Sequence, residues 1–122
     1  MKILDVARTA AALPFERLIP ALRDAFVSGA EVPLRHRHDI AQLDGTAASL
    51  LLMPAWRANG LLGVKVVSVF PGNGARGLAS VSASYLLCDG ATGQHLALFD
   101  GGEMTKRRTA AASALAGSFL AR

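Results

Sequence analysis

The hydrophobic pattern of the chain changes its period along the sequence, and the first patterned stretch is helical. Apolar residues between positions 15 and 26 recur about every 3.6 residues, which is typical of an amphipathic helix. Pro14 suits the start of this helix, and Gly29 follows its last turn. Pro20 lies inside the pattern and predicts a kink or a division into two pieces. The preceding segment, 7–12, has no decisive pattern.

From position 31 the period becomes two, which is typical of β-strands. Five strands are predicted, over residues 32–38, 49–56, 63–70, 78–87 and 95–99, with a short lead-in strand at 1–5. Turns are expected at Asp44 and Gly45 and over residues 89–93, the second being a hairpin turn. Because strand follows strand and helices lie only at the two ends, the pattern favours an α+β fold with a mainly antiparallel sheet.

The last predicted element is one long, alanine-rich helix over residues 100–122. Asp100 and Glu103 form a start that resembles a capping box, and the two glycines between them suit the turn into the helix. Arg108 shares one helix face with small and apolar side chains, namely Ala111, Ala112, Leu115 and Phe119. Two interpretations remain open: an arginine that extends from a core helix into solvent, or one fixed in place to bind a carboxylate or phosphate.

Composition and charge bound the class of protein. With 122 residues, 52% of them hydrophobic, the chain is long enough for a single domain with a real core. The net charge of +4 would permit nucleic-acid binding, but the basic residues are scattered and only 6% of residues are aromatic, so no nucleic-acid partner is expected. Cys88 is the only cysteine, which excludes an internal disulfide and suits the reducing cytoplasm. No apolar segment reaches transmembrane length, so no membrane partner is expected.

Two motifs suggest chemistry that their surroundings do not support. Residues 72–77 match G-x-G-x-x-G, but a dinucleotide site needs a helix after the glycines, and the residues that follow alternate like a strand. His36 and His38 lie on one face of a predicted strand and could supply two metal ligands. A third ligand is not evident, so no metal site is predicted.

Three cations lie at otherwise apolar positions: Arg35, Lys65 and Arg108. Lys65 is surrounded by valines in sequence, where an unpaired ammonium group is costly to bury. One interpretation is an edge strand protected by an inward-pointing lysine. The other is a pocket in which two or three cations hold an anionic ligand, with Ser80 or Ser82 on the next strand adding a hydroxyl group.

Five segments carry a family resemblance: 52–56 (LMPAW), 63–73 (GVKVVSVFPGN), 76–78 (RGL), 98–101 (LFDG) and 107–113 (RRTAAAS). Their order and spacing resemble the ornithine cyclodeaminase/mu-crystallin family, and the match covers most of the chain from about Val32 onward. The strand lysine and the Arg-Thr-Ala-Ala run are its most specific parts. The variant with Arg107 and Arg108 looks closest to bacterial Δ1-pyrroline-2-carboxylate reductases.

The resemblance implies that residues 1–122 form the substrate-binding and dimerisation domain of a two-domain enzyme, without the Rossmann domain that binds NAD(P). By their positions in the chain, the resemblance implies four substrate-binding residues: Arg35, Lys65, Ser80 and Arg108. Lys65 is also the implied catalytic residue, and Thr109 matches a position beside the nicotinamide. Arg37 lies on the same predicted face as Arg35 and is the alternative to it.

The implied function is the substrate-binding half of an NAD(P)H-dependent reductase of Δ1-pyrroline-2-carboxylate or Δ1-piperideine-2-carboxylate. The partners expected are a small anionic amino or imino acid and a second copy of the chain, bound through the sheet. NAD(P)H is the cofactor of the full-length family, and no tight binding of it is expected for this chain alone, which is therefore expected to be inactive. The alternatives are an ornithine cyclodeaminase and a non-catalytic binding and dimerisation module like mu-crystallin.

Overall fold

One six-stranded sheet organises the protein, and the computed structural model describes the backbone of residues 1–120 and the side chains of 1–25 and 29–118. The strands are β1 (Lys2–Leu4), β2 (His36–Ala41), β3 (Ala47–Trp56), β4 (Leu61–Val69), β5 (Val81–Asp89) and β6 (His95–Asp100). The helices are α1 (Val6–Ala12), α2 (Phe15–Ser28) and α3 (Gly101–Leu120), with a short 3₁₀ helix at Pro71–Arg76. No helix among these described residues is long and apolar enough to cross a membrane.

The strand order is β1-β6-β5-β4-β3-β2. From β2 to β6 each strand pairs antiparallel with the next one in sequence, as the alternating pattern predicts. β1 departs from this pattern, because it pairs parallel with β6 at one edge of the sheet. β4, which carries Lys65, lies between β3 and β5. The edge-strand interpretation of Lys65 is therefore wrong.

Two helices, and not one, precede the main strands. α1 occupies the segment whose pattern was indecisive, and the Asp5 carboxylate caps it by accepting a hydrogen bond from the Arg8 backbone N–H at 2.9 Å. Thr9 is fully buried in α1. Its hydroxyl donates to the Leu4 carbonyl at 3.2 Å and accepts from the Asp100 backbone N–H at 3.1 Å. This one side chain therefore fixes the end of β1 to the junction of β6 and α3.

α2 has the predicted ends. Pro14 occupies the N-cap position, and Gly29 ends the helix at a φ of 74°, with its N–H donating to the Ala25 carbonyl. The helix continues through Pro20 as a single element, so the alternative of two pieces is wrong. The side chain of Phe26, one of the predicted apolar positions, lies outside the described residues.

β2 begins at His36, four residues later than predicted. Pro33 has no backbone N–H to donate to a strand ladder, which disfavours a strand through this position. Before Pro33 the chain makes only an isolated bridge, in which Glu31 and Trp56 exchange backbone hydrogen bonds of 2.8 and 3.0 Å. Arg35 consequently lies in an irregular, exposed segment ahead of the strand.

α3 starts as predicted, because the Asp100 carboxylate accepts a hydrogen bond from the Glu103 backbone N–H at 2.8 Å. Gly101 is the first helical residue and not part of a preceding turn. A Cβ atom at this position would lie 2.6 Å from the backbone carbon of Ala83, so only glycine allows α3 to rest directly on β5. The predicted positions 121 and 122 and the side chain of Phe119 lie outside the described residues.

Arg107 joins α3 to the junction between α1 and α2. Its Nε donates to the Leu13 carbonyl at 2.9 Å, and its guanidinium carbon lies 4.5 Å from the centre of the Phe15 ring. A second guanidinium nitrogen is 3.6 Å from the Glu103 carboxylate, one turn earlier in the helix. Since α1 and α2 both pack against α3, the helices form one layer, and α3 holds that layer on the sheet.

We expect Arg107→Met to lower the free energy of unfolding by about 1–3 kcal/mol, because it removes a charge-assisted hydrogen bond, a cation–π contact and a partly buried ion pair. Urea unfolding monitored by circular dichroism measures this change. Lys106→Met is the matched control: Lys106 is exposed, so its loss should change stability by about 0.5 kcal/mol at most. Equal effects of the two substitutions would contradict this role for Arg107.

Candidate active site

Lys65 leaves β4 on the face of the sheet that α3 covers. Its cross-strand neighbours are Met53 on β3 and Tyr85 on β5. The Lys65 ammonium group donates a hydrogen bond of 2.6 Å to the hydroxyl of Thr105, in the second turn of α3. The lysine is half-buried and is held between sheet and helix without a carboxylate partner in the described part of the chain.

Arg108 lies three residues after Thr105 on α3, so the two side chains share one side of the helix. Burial lowers the pKa of Lys65 from its ordinary value of 10.5, and the nearby positive charge of Arg108 lowers it further. Among described residues Arg108 makes neither a hydrogen bond nor an ion pair. The neighbouring Arg107 has a hydrogen bond, an ion pair and a cation–π contact. The two arginines therefore differ in role: one holds helices together, and the other has its donors free.

Tyr85 completes the cluster. It faces Lys65 across the β4–β5 pair, and burial raises the pKa of its phenol, while the charge of Arg108 acts in the opposite direction. Its side chain crosses from β5 to β4, where the hydroxyl lies against Gly63 so closely that any Cβ atom there would overlap with it. Gly63 is thus required by the position of the tyrosine, and Tyr85 stays a neutral hydrogen-bond donor at physiological pH.

The charge balance of the cluster favours an anion. Two carboxylates belong to the first turn of α3, but Asp100 caps the helix and Glu103 pairs with Arg107. Two positive groups thus lie together, one of them with a lowered pKa and the other with no carboxylate in contact. A planar guanidinium with free donors is suited to a carboxylate or phosphate group.

Arg35 is not brought to Lys65 in the described structure, since it precedes β2 and is exposed. Arg37, the alternative, lies on β2 and is also exposed. Its Nε is 3.2 Å from the Asp39 carboxylate and its Nη2 lies 3.5 Å from the Ser49 hydroxyl. Arg37 is therefore engaged with its own strand and with β3, whereas Arg35 has no such contact.

The predicted serines lie away from Lys65. Ser82 pairs with Ser68, three residues beyond Lys65, and so points to the opposite face of the sheet. Ser80 precedes β5, and its carbonyl accepts a hydrogen bond of 2.7 Å from the Phe70 N–H. That end of the strand pair is four residues from Lys65, about 13 Å at the usual rise per residue.

Thr109 follows Arg108 directly and is exposed on α3. No hydrogen bond of its hydroxyl exists within the described residues. Its assignment to the nicotinamide remains a prediction from the family resemblance.

The glycine motif at 72–77 forms the 3₁₀ helix and leads into β5, without an α-helix after it. The prediction that a strand, and not a helix, follows the motif is therefore confirmed. His36 and His38 pair with Leu52 and Leu50, which places them on the face opposite Lys65. No group of three or more metal-ligating side chains occurs in the part of the chain that the structure describes.

Thr105 and Tyr85 are the residues that sequence reasoning missed. Thr105 had a usable signal, because it lies three positions before Arg108 and so shares its helix side. Tyr85 had none, because its place opposite Lys65 depends on the register of β4 against β5. The 3₁₀ helix in the intervening connection sets that register, and the glycine-rich sequence did not predict its length.

We expect Arg108→Met to raise the pKa of Lys65, because the substitution removes a positive neighbour that disfavours the protonated amine. The pKa should stay below 10.5, since burial is the larger cause and remains. An NMR titration of the lysine side-chain amine signals measures it. Lys106→Met removes an exposed charge from the same helix and serves as the control. An unchanged Lys65 pKa in Arg108→Met would contradict the proximity of the two groups.

Comparison with known proteins assigns the chain to a family. The sequence profile of the ornithine cyclodeaminase/mu-crystallin family matches residues 2–122. The chain is 48% identical over 108 residues to an uncharacterised protein of Schizosaccharomyces pombe, covering 86% of this chain and 33% of that protein. It is 34% identical over 124 residues to a Delta(1)-pyrroline-2-carboxylate reductase of Colwellia psychrerythraea, and the match covers 100% of this chain and 39% of that protein. The chain thus spans about a third of the length of these curated relatives.

Solved structures of related proteins support the same family assignment. Thermococcus litoralis Delta(1)-pyrroline-2-carboxylate reductase in complex with NADH and L-proline matches with a TM-score of 0.70 and 36% identity, over 96% of this chain and 37% of that one. An archaeal alanine dehydrogenase dimer with bound NAD matches with a TM-score of 0.78 and 28% identity, over 96% of this chain and 36% of that chain. With a profile match over nearly its whole length, the chain belongs to the ornithine cyclodeaminase/mu-crystallin family.

Proposed function

We propose that this chain is the substrate-binding part of an NAD(P)H-dependent reductase of a cyclic imino acid, Δ1-pyrroline-2-carboxylate or Δ1-piperideine-2-carboxylate. The observation that carries the proposal is the pairing of Lys65, whose pKa is lowered, with Arg108, whose donors are free. The reductase relatives support the choice of reaction, since one of them matches the entire chain at 34% identity.

Each cation has a distinct task. Arg108 binds the substrate carboxylate through its planar guanidinium, which fixes the ring on the sheet face beneath α3. Reduction of a C=N bond adds a hydride to carbon and a proton to nitrogen. Lys65 is assigned the proton, because an ammonium group with a lowered pKa is a better acid near neutral pH. Thr105 orients Lys65 by accepting its hydrogen bond.

The hydride would come from bound NAD(P)H, the group with which the reductase and alanine dehydrogenase relatives were solved as NADH and NAD. The described residues do not fit its pyrophosphate, because the glycine motif leads into β5 and not into a helix N-terminus. Only Thr109 is assigned to the nicotinamide, by family resemblance. The tasks of Lys65 and Arg108 described above concern the substrate alone.

The same proposal includes a homodimer formed through the sheet face opposite α3. A row in register across five strands of this face is entirely apolar: Ile3, Leu98, Leu86, Val64 and Pro54. The described helices pack together on the other face, so none of them covers this row. An apolar sheet face of this kind gains stability by packing against a second sheet.

Two alternatives use the same features. An ornithine cyclodeaminase would hold its substrate carboxylate on the same two cations, and a solved lysine cyclodeaminase is 29% identical with a TM-score of 0.72. A non-catalytic binding and dimerisation module would need only the cation pair and the open sheet face. Ligand preference distinguishes the cyclodeaminase from the proposed reductase, because a cyclodeaminase would bind a linear diamino acid more tightly than a planar ring acid.

We expect pyrrole-2-carboxylate, a planar analogue of the cyclic imino acid, to bind the purified protein in calorimetry. Arg108→Met and Lys65→Met should each weaken binding by about tenfold or more, because the first removes the group that binds the carboxylate and the second removes a positive charge from the same anion site. Lys106→Met should bind like the unmodified protein. Binding that is insensitive to both site substitutions would refute the proposed function, and a clear preference for ornithine would favour the cyclodeaminase.

We expect the protein to sediment as a dimer at micromolar concentration and Val64→Glu to shift it to monomers, because the substitution puts a charge within the apolar row. Val81→Glu is the matched control, since Val81 is exposed on the opposite face of the same sheet. Analytical ultracentrifugation distinguishes the outcomes. A monomeric unmodified protein, or equal dissociation by both substitutions, would exclude this interface.

A further inference from the structure

An open cleft of about 590 Å³ lies beside the cation pair, between the end of α2 and the adjoining ends of β3, β4 and β5. Its lining residues are Ala25, Ala30, Ala55, Trp56, Arg57, Gly60, Leu61, Gly63, Tyr85 and Leu87. The volume falls within the range of about 300–1,000 Å³ that is typical of small-molecule sites. It exceeds what a single five-membered ring needs.

The lining is suited to an apolar ring. Alanine and glycine make up half of it, and they leave the volume open, while Trp56, Leu61 and Leu87 supply apolar surface. Arg57 is the one charged residue among the described residues of the lining, and its guanidinium donates hydrogen bonds of 3.2 and 3.1 Å to the Gly29 carbonyl. The cleft therefore has no free charge of its own to bind the anionic end of a ligand.

Tyr85 connects the cleft to the cations. Its side chain lines the cleft, and the same residue is the cross-strand neighbour of Lys65. The positive charge of Arg108 is close enough to lower the pKa of its phenol. The phenol lies against Gly63, which also lines the cleft. In the described structure the hydroxyl has no hydrogen-bond partner and is not sealed from solvent. Tyr85 therefore adjoins both the cation pair and the cleft.

We propose that the cleft holds the ring body of carboxylate ligands larger than a five-membered ring, with a fused-ring aromatic carboxylate as the chemical class that fits it. The carboxylate binds Arg108 next to Lys65, the ring passes Tyr85, and the far part of the ring system packs between α2 and the strand ends. This inference rests on the proposed function, because it uses the same cation pair for the carboxylate. It adds a compartment that determines how large a ring system the bound ligand can have.

Calorimetry on the purified protein with two probes, pyrrole-2-carboxylate and indole-2-carboxylate, tests the inference. The unmodified protein should bind the indole acid at least as tightly as the pyrrole acid, and Arg108→Met should weaken both. Ala55→Leu, which narrows the cleft from the sheet side, should weaken the indole acid by about tenfold or more and the pyrrole acid by about twofold at most. Ala58→Leu makes the same change at an exposed turn position outside the lining and should alter neither.

Ala25→Leu narrows the cleft from the helix side and should reproduce the selective loss even if Ala55→Leu fails to fold. The inference is overturned if the indole acid binds more weakly than the pyrrole acid to the unmodified protein, or if the two leucine substitutions affect both acids equally or not at all. Absence of binding by both acids, or binding insensitive to Arg108→Met, would instead refute the proposed function, and the cleft inference with it.

Discussion

The direct contact between Gly101 and β5 sets the position of the side chains that α3 brings to the candidate site. With no Cβ atom at Gly101, the first turn of α3 rests on the backbone of Ala83, and the Asp100 cap fixes the direction in which the helix leaves the sheet. Thr105 then lies one turn, about 6 Å, further along the helix axis, where its hydroxyl reaches Lys65. Arg108 follows after three more residues. A bulkier residue at position 101 would lift all these groups away from the strands.

The site concentrates an electrostatic cost that the rest of the fold avoids. Arg107, on the same helix, has its charge balanced by Glu103 and donates to the Leu13 carbonyl. Lys65 is instead partly buried beside a second positive charge, and its lowered pKa is the measurable sign of that cost. Such an arrangement weakens the free protein, and a bound carboxylate would relieve it. Ligand binding and protein stability are therefore expected to be coupled through these two residues.

Sequence patterns predicted the sheet and the long last helix, and both successes have a local cause. The same patterns singled out Lys65 and Arg108, which the structure brings together and whose roles stay predictions. Lys65 and Arg108 were identified because a charged residue interrupts an apolar period, which a single segment shows. The features that the sequence did not predict depend on distant parts of the chain or on backbone details. Tyr85 reaches Lys65 only through the register of two strands, and the start of β2 moved because Pro33 lacks an N–H. α1 has only seven residues, too few for a clear period.

The parallel pairing of β1 with β6, secured by the hydroxyl of Thr9 between Leu4 and Asp100, has a consequence for the order of folding. β2 to β5 can pair with their sequence neighbours as they leave the ribosome. The first strand, in contrast, has no partner until residues about ninety positions later have been synthesised, and contacts of such sequence separation form slowly. The N-terminal segment is thus synthesised first and joins the sheet last. During that interval the edge of β6 stays open to pairing with another chain.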